Sequence, residues 1–444
     1  MIVSKNLLYS TFFIGFVLIE LSCVRIQNPY TGIAPGIWRG KLILQDYRQM
    51  IVTKGKDEEV TRDVSDSKQQ FFIPFKFSIG YNKDSSAFMT IYNGDEQLVY
   101  SDVRTGRNRK TGEDTFHIEL APYDAFLNGI FEQNKMKGFF VVRDKKNYHI
   151  PFEARYSEDF LFSKLPEKAG IDINGEWQVV FKDSTGDKFD AIGEFVQFST
   201  AAKGTFRTET GDFGFLGGEV KGNHVRLSGF NGGHAFLFDA EVTEDSMYGK
   251  FYSGVHYSAD FQGHKTRNGT LKNPDSIAQK ISDIPVNFKL LNPEGQWISI
   301  HDKEYENSIK ILQITGSWCP NCRDESTFLK EYLANHQDYN IQVIGLAFER
   351  HKDQNLALQR IASYKKQLGL PYEILLAGPA NRDSASALFP QIDEIKAFPT
   401  MIILDTKNKI RKIHTGFDGP ATSKYQSFKD EFNETIHFLK QEKE

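Results

Sequence analysis

Two cysteines separated by two residues, Cys319 and Cys322, are the side chains of this sequence best suited to covalent chemistry. A thiolate, not a thiol, attacks a disulfide, so the question is what would hold one of them as an anion. Ile309, Ile311, Leu312 and Ile314 form a largely apolar run, broken only by Lys310 and Gln313, which suits a central strand. Thr315-Gly316-Ser317-Trp318 follows as a turn, and Phe328, Leu329, Tyr332 and Leu333 recur at helical spacing. The pair therefore opens a helix. There, unpaired backbone N–H groups and the helix dipole favour a negative Cys319, with a pKa below the free value of about 8.5. Cys322 lies nearly one turn further along the same face, placed to attack a mixed disulfide on Cys319. Pro320 fits the first helical turn, where the N–H it lacks would have no helical partner in any case.

The rest of the chain bounds what surrounds this pair. At 444 residues it has room for about three domains. A 40% apolar and 25% charged composition is neither that of a disordered chain nor that of a membrane bundle. A net charge of −4 without a long basic run argues against nucleic acid as the main partner. Three cysteines are too few for a disulfide-stapled scaffold.

Residues 1–22 read as a targeting segment. Lys5 precedes an apolar run from Leu7 to Ile19, too short to span a bilayer, which needs about 20 residues, but suited to a secretory signal. Glu20-Leu21-Ser22-Cys23 then resembles a bacterial lipoprotein signal, although Glu20 stands where an apolar residue is usual. That resemblance implies lipidation of Cys23 and a protein exported to the cell envelope, lipid-anchored and facing the periplasm. With Cys23 assigned to a lipid, Cys319 and Cys322 are the remaining pair, and in an exported protein a single close pair favours exchange over stapling.

Residues 24–285 alternate apolar and polar positions with period two. Phe116, Ile118 and Leu120 do so, as do Ile150, Phe152 and Ala154, and Phe251, Ser253, Val255 and Tyr257. Turn signals such as Asn93-Gly94-Asp95 and Asn231-Gly232-Gly233 separate the runs, which points to antiparallel barrels or sandwiches. Gly36-Ile37-Trp38 and Gly175-Glu176-Trp177 open two similar stretches 139 residues apart. They suggest two related β-domains, 23–165 and 166–270, the second a lipocalin-like barrel. The glycines between Gly204 and Gly233 read first as hairpin turns, the alternative being backbone that must approach a ligand or a neighbouring domain closely. His234 and His256 read as ordinary strand histidines that could face the catalytic domain; no third ligand stands at a metal spacing. A polar linker from Lys265 to Pro285, 271–285 in its core, leads into a domain at 286–444.

This last domain resembles the thioredoxin superfamily, and within it the exported, membrane-associated thiol-disulfide reductases of the TlpA and ResA type. The carriers are Trp318-Cys319-Pro320-Asn321-Cys322, the Ala397-Phe398-Pro399-Thr400 segment before the strand Met401–Leu404, and a long insertion between Gly345 and Phe398. The insertion has a helical pattern near Asp353–Leu368 and a strand pattern near Tyr372–Leu376. The expected whole is multidomain, antiparallel β-barrel or sandwich domains followed by an α/β thioredoxin-like domain. The resemblance implies a cis Pro399 facing the thiols, with Phe398 backbone, Trp318 and Pro320 contacting substrate. It also implies family acids at Glu325, one turn beyond Cys322, and at Glu349, after the strand Ile341–Phe348. The alternatives are that Arg323-Asp324-Glu325 is a solvated first turn and Glu349-Arg350 a surface pair. The implied partners are exported proteins with disulfides and a membrane thiol electron donor; no cofactor is implied. Competing readings are a copper carrier using both cysteines and His414, a peroxidase, and a ligand-binding β-protein with an accessory thiol domain. The copper-carrying branch spaces its cysteines by three residues, and a peroxidase wants a hydroxyl where Gly316 stands.

Overall fold

The computed structural model describes residues 32–44, 50–54, 58–62, 71–165, 167–337 and 340–442. Residues 1–22, read above as a targeting segment, and Cys23 lie outside the described residues. The first β-domain is a closed, antiparallel barrel whose strands, apart from the first, pair in sequence order, with the hairpin Met50–Lys54 and Glu58–Arg62 forming a separate two-stranded sheet. Its first strand, Gly36–Leu44, closes it by pairing both with Phe71–Tyr81 and with His149–Tyr156. The second repeats that plan. Gly175–Asp183 pairs with Lys188–Phe198 on one side and Tyr257–Thr266 on the other, and the short strand Gly211–Asp212 is added at its rim.

The repeated Gly-x-Trp marks the same device in both barrels. Gly36 and Gly175 have φ of +118° and +103°, which an L side chain rarely adopts. Trp38 and Trp177 are fully buried. Each indole N–H donates to a carbonyl four residues earlier, Ala34 at 2.9 Å and Ile173 at 3.0 Å. The tryptophan thus fixes the entry of the chain while filling the base of the core.

Phenylalanines fill both lumens. In the second barrel Phe181, Phe206, Phe238, Phe251 and Phe261 pack ring on ring. In the first, Phe75, Phe77, Phe140 and Phe152 do so together with Phe230 from the second barrel, which sits 4.5 Å from Phe75 and 5.0 Å from Phe140 between ring centres. The two barrels therefore share part of one core. Asn93 locks this join, accepting from the Phe230 N–H and donating to its carbonyl, both at 2.9 Å.

Three sequence expectations change here. The run Phe251–Tyr257 is not one strand: Ser246–Ser253 and Tyr257–Thr266 form a hairpin that turns at Gly254, φ +54°. His234 and His256 sit in the connections beside strands, not within them. The stretch 265–285 is a docked segment: Asp275 pairs with His414 at 2.7 Å and Lys412 at 3.0 Å, and Lys280 bridges to Ile392.

The third domain has a seven-stranded mixed sheet ordered Trp297–Ser299, Lys289–Leu291, Glu373–Pro379, Ile341–Glu349, Ile309–Thr315, Thr400–Leu404, Ile410–Thr415. Ile309–Thr315 runs parallel to Ile341–Glu349 and antiparallel to Thr400–Leu404, and every residue of it is buried. One face is covered by helices Pro320–Asn335, Gln354–Leu368 and Tyr425–Gln441 through Phe328, Ile361, Tyr364, Phe432 and Ile436. The other is covered by Ala385, Phe389, Ile392 and Ile395. The insertion contains the expected elements: Asp353 caps Gln354–Leu368 by accepting from the Leu356 N–H, and Gly369 ends it in the left-handed conformation. The expected strand is Glu373–Pro379.

Replacing Trp177 by alanine empties a fully buried site and removes the donor to Ile173. It is expected to cost about 3–5 kcal/mol. Urea unfolding of the full chain checks this; an unchanged midpoint would contradict it.

Candidate active site

Cys319 is the N-cap of helix Pro320–Asn335, with Pro320 at its first position. The Cys322 N–H donates to Cys319 Sγ at 3.2 Å, so one of the helix's unpaired donors points at the sulfur. The two cysteines are joined as a disulfide, with Cα atoms 5.2 Å apart. The pairing of Ile314 with Thr400 brings the segment before Thr400 beside the turn that carries the cysteines. There the Phe398–Pro399 bond is cis, and the Phe398 carbonyl oxygen lies 3.5 Å from Cys319 Sγ.

The carboxy-terminal region is a thioredoxin-like domain. Residues 281–413 match the model of the AhpC/TSA family. The chain is 26% identical over 142 residues to the thiol-disulfide oxidoreductase ResA of Halalkalibacterium halodurans, covering 32% of this chain and 72% of that protein. Similar solved structures include StoA from Bacillus subtilis, at 23% identity, 34% of this chain, 98% of that one and a TM-score of 0.25. A putative thiol:disulfide interchange protein DsbE from Chlorobium tepidum gives 19%, 36%, 98% and 0.28.

Both sequence-marked glutamates are buried, which overturns the solvated-turn and surface-pair readings. Glu349 accepts from the Ser317 N–H at 2.9 Å and the Ser317 hydroxyl at 2.7 Å, and so holds the turn before Cys319. Burial pushes its carboxyl above the usual range, against the opposing Ser317 bonds. Arg350 turns away from it, pairing with Asp144 of the first barrel at 3.3 Å and lying 4.4 Å over the Trp318 ring. Trp318 donates to the Phe348 carbonyl at 2.9 Å and meets Phe398 edge to face. It is thus fixed beside the sulfurs rather than free to swing.

Glu325 is fully buried, and neither carboxylate oxygen has a hydrogen bond of good geometry. Burial raises its pKa to about 8, with Gln313 pulling weakly the other way. Gln313 itself donates to the Cys322 carbonyl at 3.2 Å and to Ser326 at 3.0 Å, and accepts from Tyr372 at 3.2 Å. A polar network therefore lies under the cysteine helix, with one carboxyl poised to exchange a proton near neutral pH.

What lies above the sulfurs has no direct mark in the sequence. Trp318, Cys319, Pro320, Asn321 and Phe398 form the floor of a cleft of about 250 Å³. Its walls come from both barrels: Asn93 and Glu96 from the first, and Asp212, Phe213, Phe215 and His234 from the second. Arg323 reaches Glu96 at 2.9 Å. Asp212 accepts from the Gly419 N–H at 2.8 Å, and Glu194 from the Ser423 N–H at 2.7 Å. Arg360 donates to the Pro122 carbonyl at 2.6 Å, and His351 meets Asp124 at 3.0 Å. The available signal was the glycine run. A Cβ at Gly211 would collide with the Asn321 amide, and one at Gly416 would stand 2.7 Å from Thr210 backbone. Close approach to a neighbouring domain, not hairpin geometry alone, sets these glycines. His414 is held by Asp275 and packs on Phe428, and it is not among the residues lining the cleft.

Folded Glu325 keeps its proton up to about pH 8, whereas an unfolded glutamate releases it near pH 4.3. Between these values the folded state binds the extra proton, so this group makes stability fall as pH rises. Glu325→Gln should flatten that decline and raise the urea midpoint of the oxidised protein more at pH 8 than at pH 5. Equal shifts at both pH values would contradict the assignment.

Proposed function

We propose that this chain is a thiol-disulfide oxidoreductase that reduces disulfides of exported proteins. In this reading it is held in the cell envelope, facing the periplasm, by a lipid on Cys23, and recharged by a membrane thiol donor. The observation that carries the chemistry is the Cys319 sulfur, held at a helix N-terminus by the Cys322 N–H and faced by the Phe398–Pro399 cis bond. The relatives' names support it: ResA is called a thiol-disulfide oxidoreductase, and the Chlorobium protein a thiol:disulfide interchange protein.

In the reduced protein, the Cys319 thiolate attacks one sulfur of the partner's disulfide. The partner's other sulfur leaves as a thiolate and takes up a proton. Cys322 then loses its proton and attacks Cys319 Sγ, forming the Cys319–Cys322 disulfide and freeing the second partner thiol. Glu325, one helical turn beyond Cys322, relays that proton through its ionised fraction, which grows as pH approaches about 8. Its pKa of about 8 is close to a thiol's own value of about 8.5, so the transfer is nearly balanced. Glu349 acts through Ser317 and is a positioning residue. Pro399 keeps a backbone N–H away from the sulfurs, and Phe398, Trp318 and Pro320 offer the surface that meets the partner.

The competing readings find less support. At Gly316 a side chain would strike the Trp318 indole and stand 3.0 Å from the Phe348 carbonyl, so the hydroxyl a peroxidase wants has no room. His414, the copper reading's third ligand, packs on Phe428 and is not among the residues lining the cleft over the cysteines. The barrel lumens are packed with phenylalanine rather than shaped to hold a ligand.

Cys322→Ser should stall the reaction as a mixed disulfide on Cys319. Expressed in the native host, it is expected to yield covalent adducts with exported proteins that dithiothreitol releases and that Cys319→Ser abolishes. Adducts that persist in the double variant, or none at all, would contradict the reading.

A further inference from the structure

The cleft over Cys319 is narrower than a bare thiol site on a sheet edge would be. At roughly 30 Å³ per water, a volume of 250 Å³ holds about eight waters, or a side chain or two. Cys319 is only 4% exposed beneath walls contributed by both barrels, which disfavours approach by the bulk of a folded domain. The wall is held in place: Thr210 backbone packs on Gly416, Gly211 on Asn321, and Asp212 accepts from the Gly419 N–H at 2.8 Å. Behind it the two barrels share a core through Phe230.

The lining has a definite chemistry. Phe213, Phe215, Phe230, Phe236, Phe398 and Trp318 supply its apolar surface. The carboxylates of Glu96, Asp212 and Asp324 line it, and the charge of Arg323 is already taken by Glu96 and Asp324 at 2.9 Å each. His234 is kept neutral by burial and by the nearby Lys145 and Arg350. An entering anion would find no unpaired cation and would be desolvated against acids, whereas an apolar side chain would bury against rings.

Resting on the oxidoreductase reading, we infer that the barrels set its substrate class: disulfides carried on extended segments with apolar, non-anionic flanks, to the exclusion of disulfides on the surface of folded domains. Phe215 is the wall residue that tests this most cleanly. It is half-buried in the connection before Leu216–Lys221 and is not part of the second barrel's core.

The test uses the pre-reduced full-length protein in single-turnover reactions read by mass spectrometry. Hydroxyethyl disulfide is the small neutral reference. Two linear peptides each carry one cysteine as a mixed disulfide with 2-mercaptoethanol, flanked by leucine and phenylalanine or by aspartate. A stable folded domain carries the apolar-flanked sequence beside an exposed disulfide. The apolar peptide should react about tenfold or more faster than the acidic one, the range that one hydrophobic contact supplies, and faster than the folded domain. Phe215→Asp should bring the peptide ratio toward one, and Phe215→Leu should retain it. Equal rates for both peptides and the folded domain, with hydroxyethyl disulfide reactive, would overturn the substrate class and leave the oxidoreductase reading standing. No reaction with any disulfide would overturn both.

Discussion

One hydrogen bond organises the chemistry of this molecule: the N–H of Cys322 directed at the sulfur of Cys319. A helix normally takes an oxygen at that position, from serine, threonine, aspartate or asparagine. Here sulfur takes the place, and the stabilisation that would cap the helix instead favours the anionic form of a nucleophile. The surrounding features serve that geometry. Glu349 fixes the preceding turn through Ser317, the buried strand Ile309–Thr315 delivers the turn to the sheet edge, and the cis Phe398–Pro399 bond turns a carbonyl toward the sulfur.

The second constraint is enclosure. The thioredoxin-like domain is clasped by both barrels through Glu96–Arg323, Asp124–His351, Asp144–Arg350 and Asp212–Gly419. The segment after the second barrel is pinned by Asp275 to His414 and Lys412. Because the barrels also share aromatic packing, the walls of the cleft are tied to two cores rather than to a mobile loop. A surface that would otherwise face solvent thus becomes a lined passage, at the cost of burying Asp212, Asp324 and Glu325, all of whose carboxyls burial raises.

The elements legible in the sequence were those whose causes are local. The strand-turn-helix around Cys319, the capped helix after Asp353 and the twin Gly-x-Trp starts each depend on residues within a few positions of one another. Period-two alternation identified both barrels, although it ran through the Gly254 turn, because a tight hairpin keeps the same residues facing inward. What the sequence concealed depends on contacts between residues 32 to 227 positions apart. Glu349 is placed near the site only by resemblance, with a surface pair with Arg350 as the alternative; what the sequence does not reveal is that Glu349 accepts from Ser317 while Arg350 lies over Trp318. His234 looked like a strand residue and lines the thiol cleft. Within the glycine run, Gly211 carries the clue, since a Cβ there would block the docking of one domain on another; Gly416, on the facing side, plays the same part without any mark in the sequence.

The central claim is that the sulfur at position 319 is anionic near neutral pH. The direct measurement is the pH dependence of iodoacetamide alkylation of the fully reduced protein, with Cys319→Ser as the reference. The account predicts that Cys319 alkylates with an apparent pKa well below the free-thiol value of about 8.5, and ahead of the buried Cys322. A Cys319 that titrates at the free-thiol value, or reacts no faster than a small thiol at neutral pH, would contradict it.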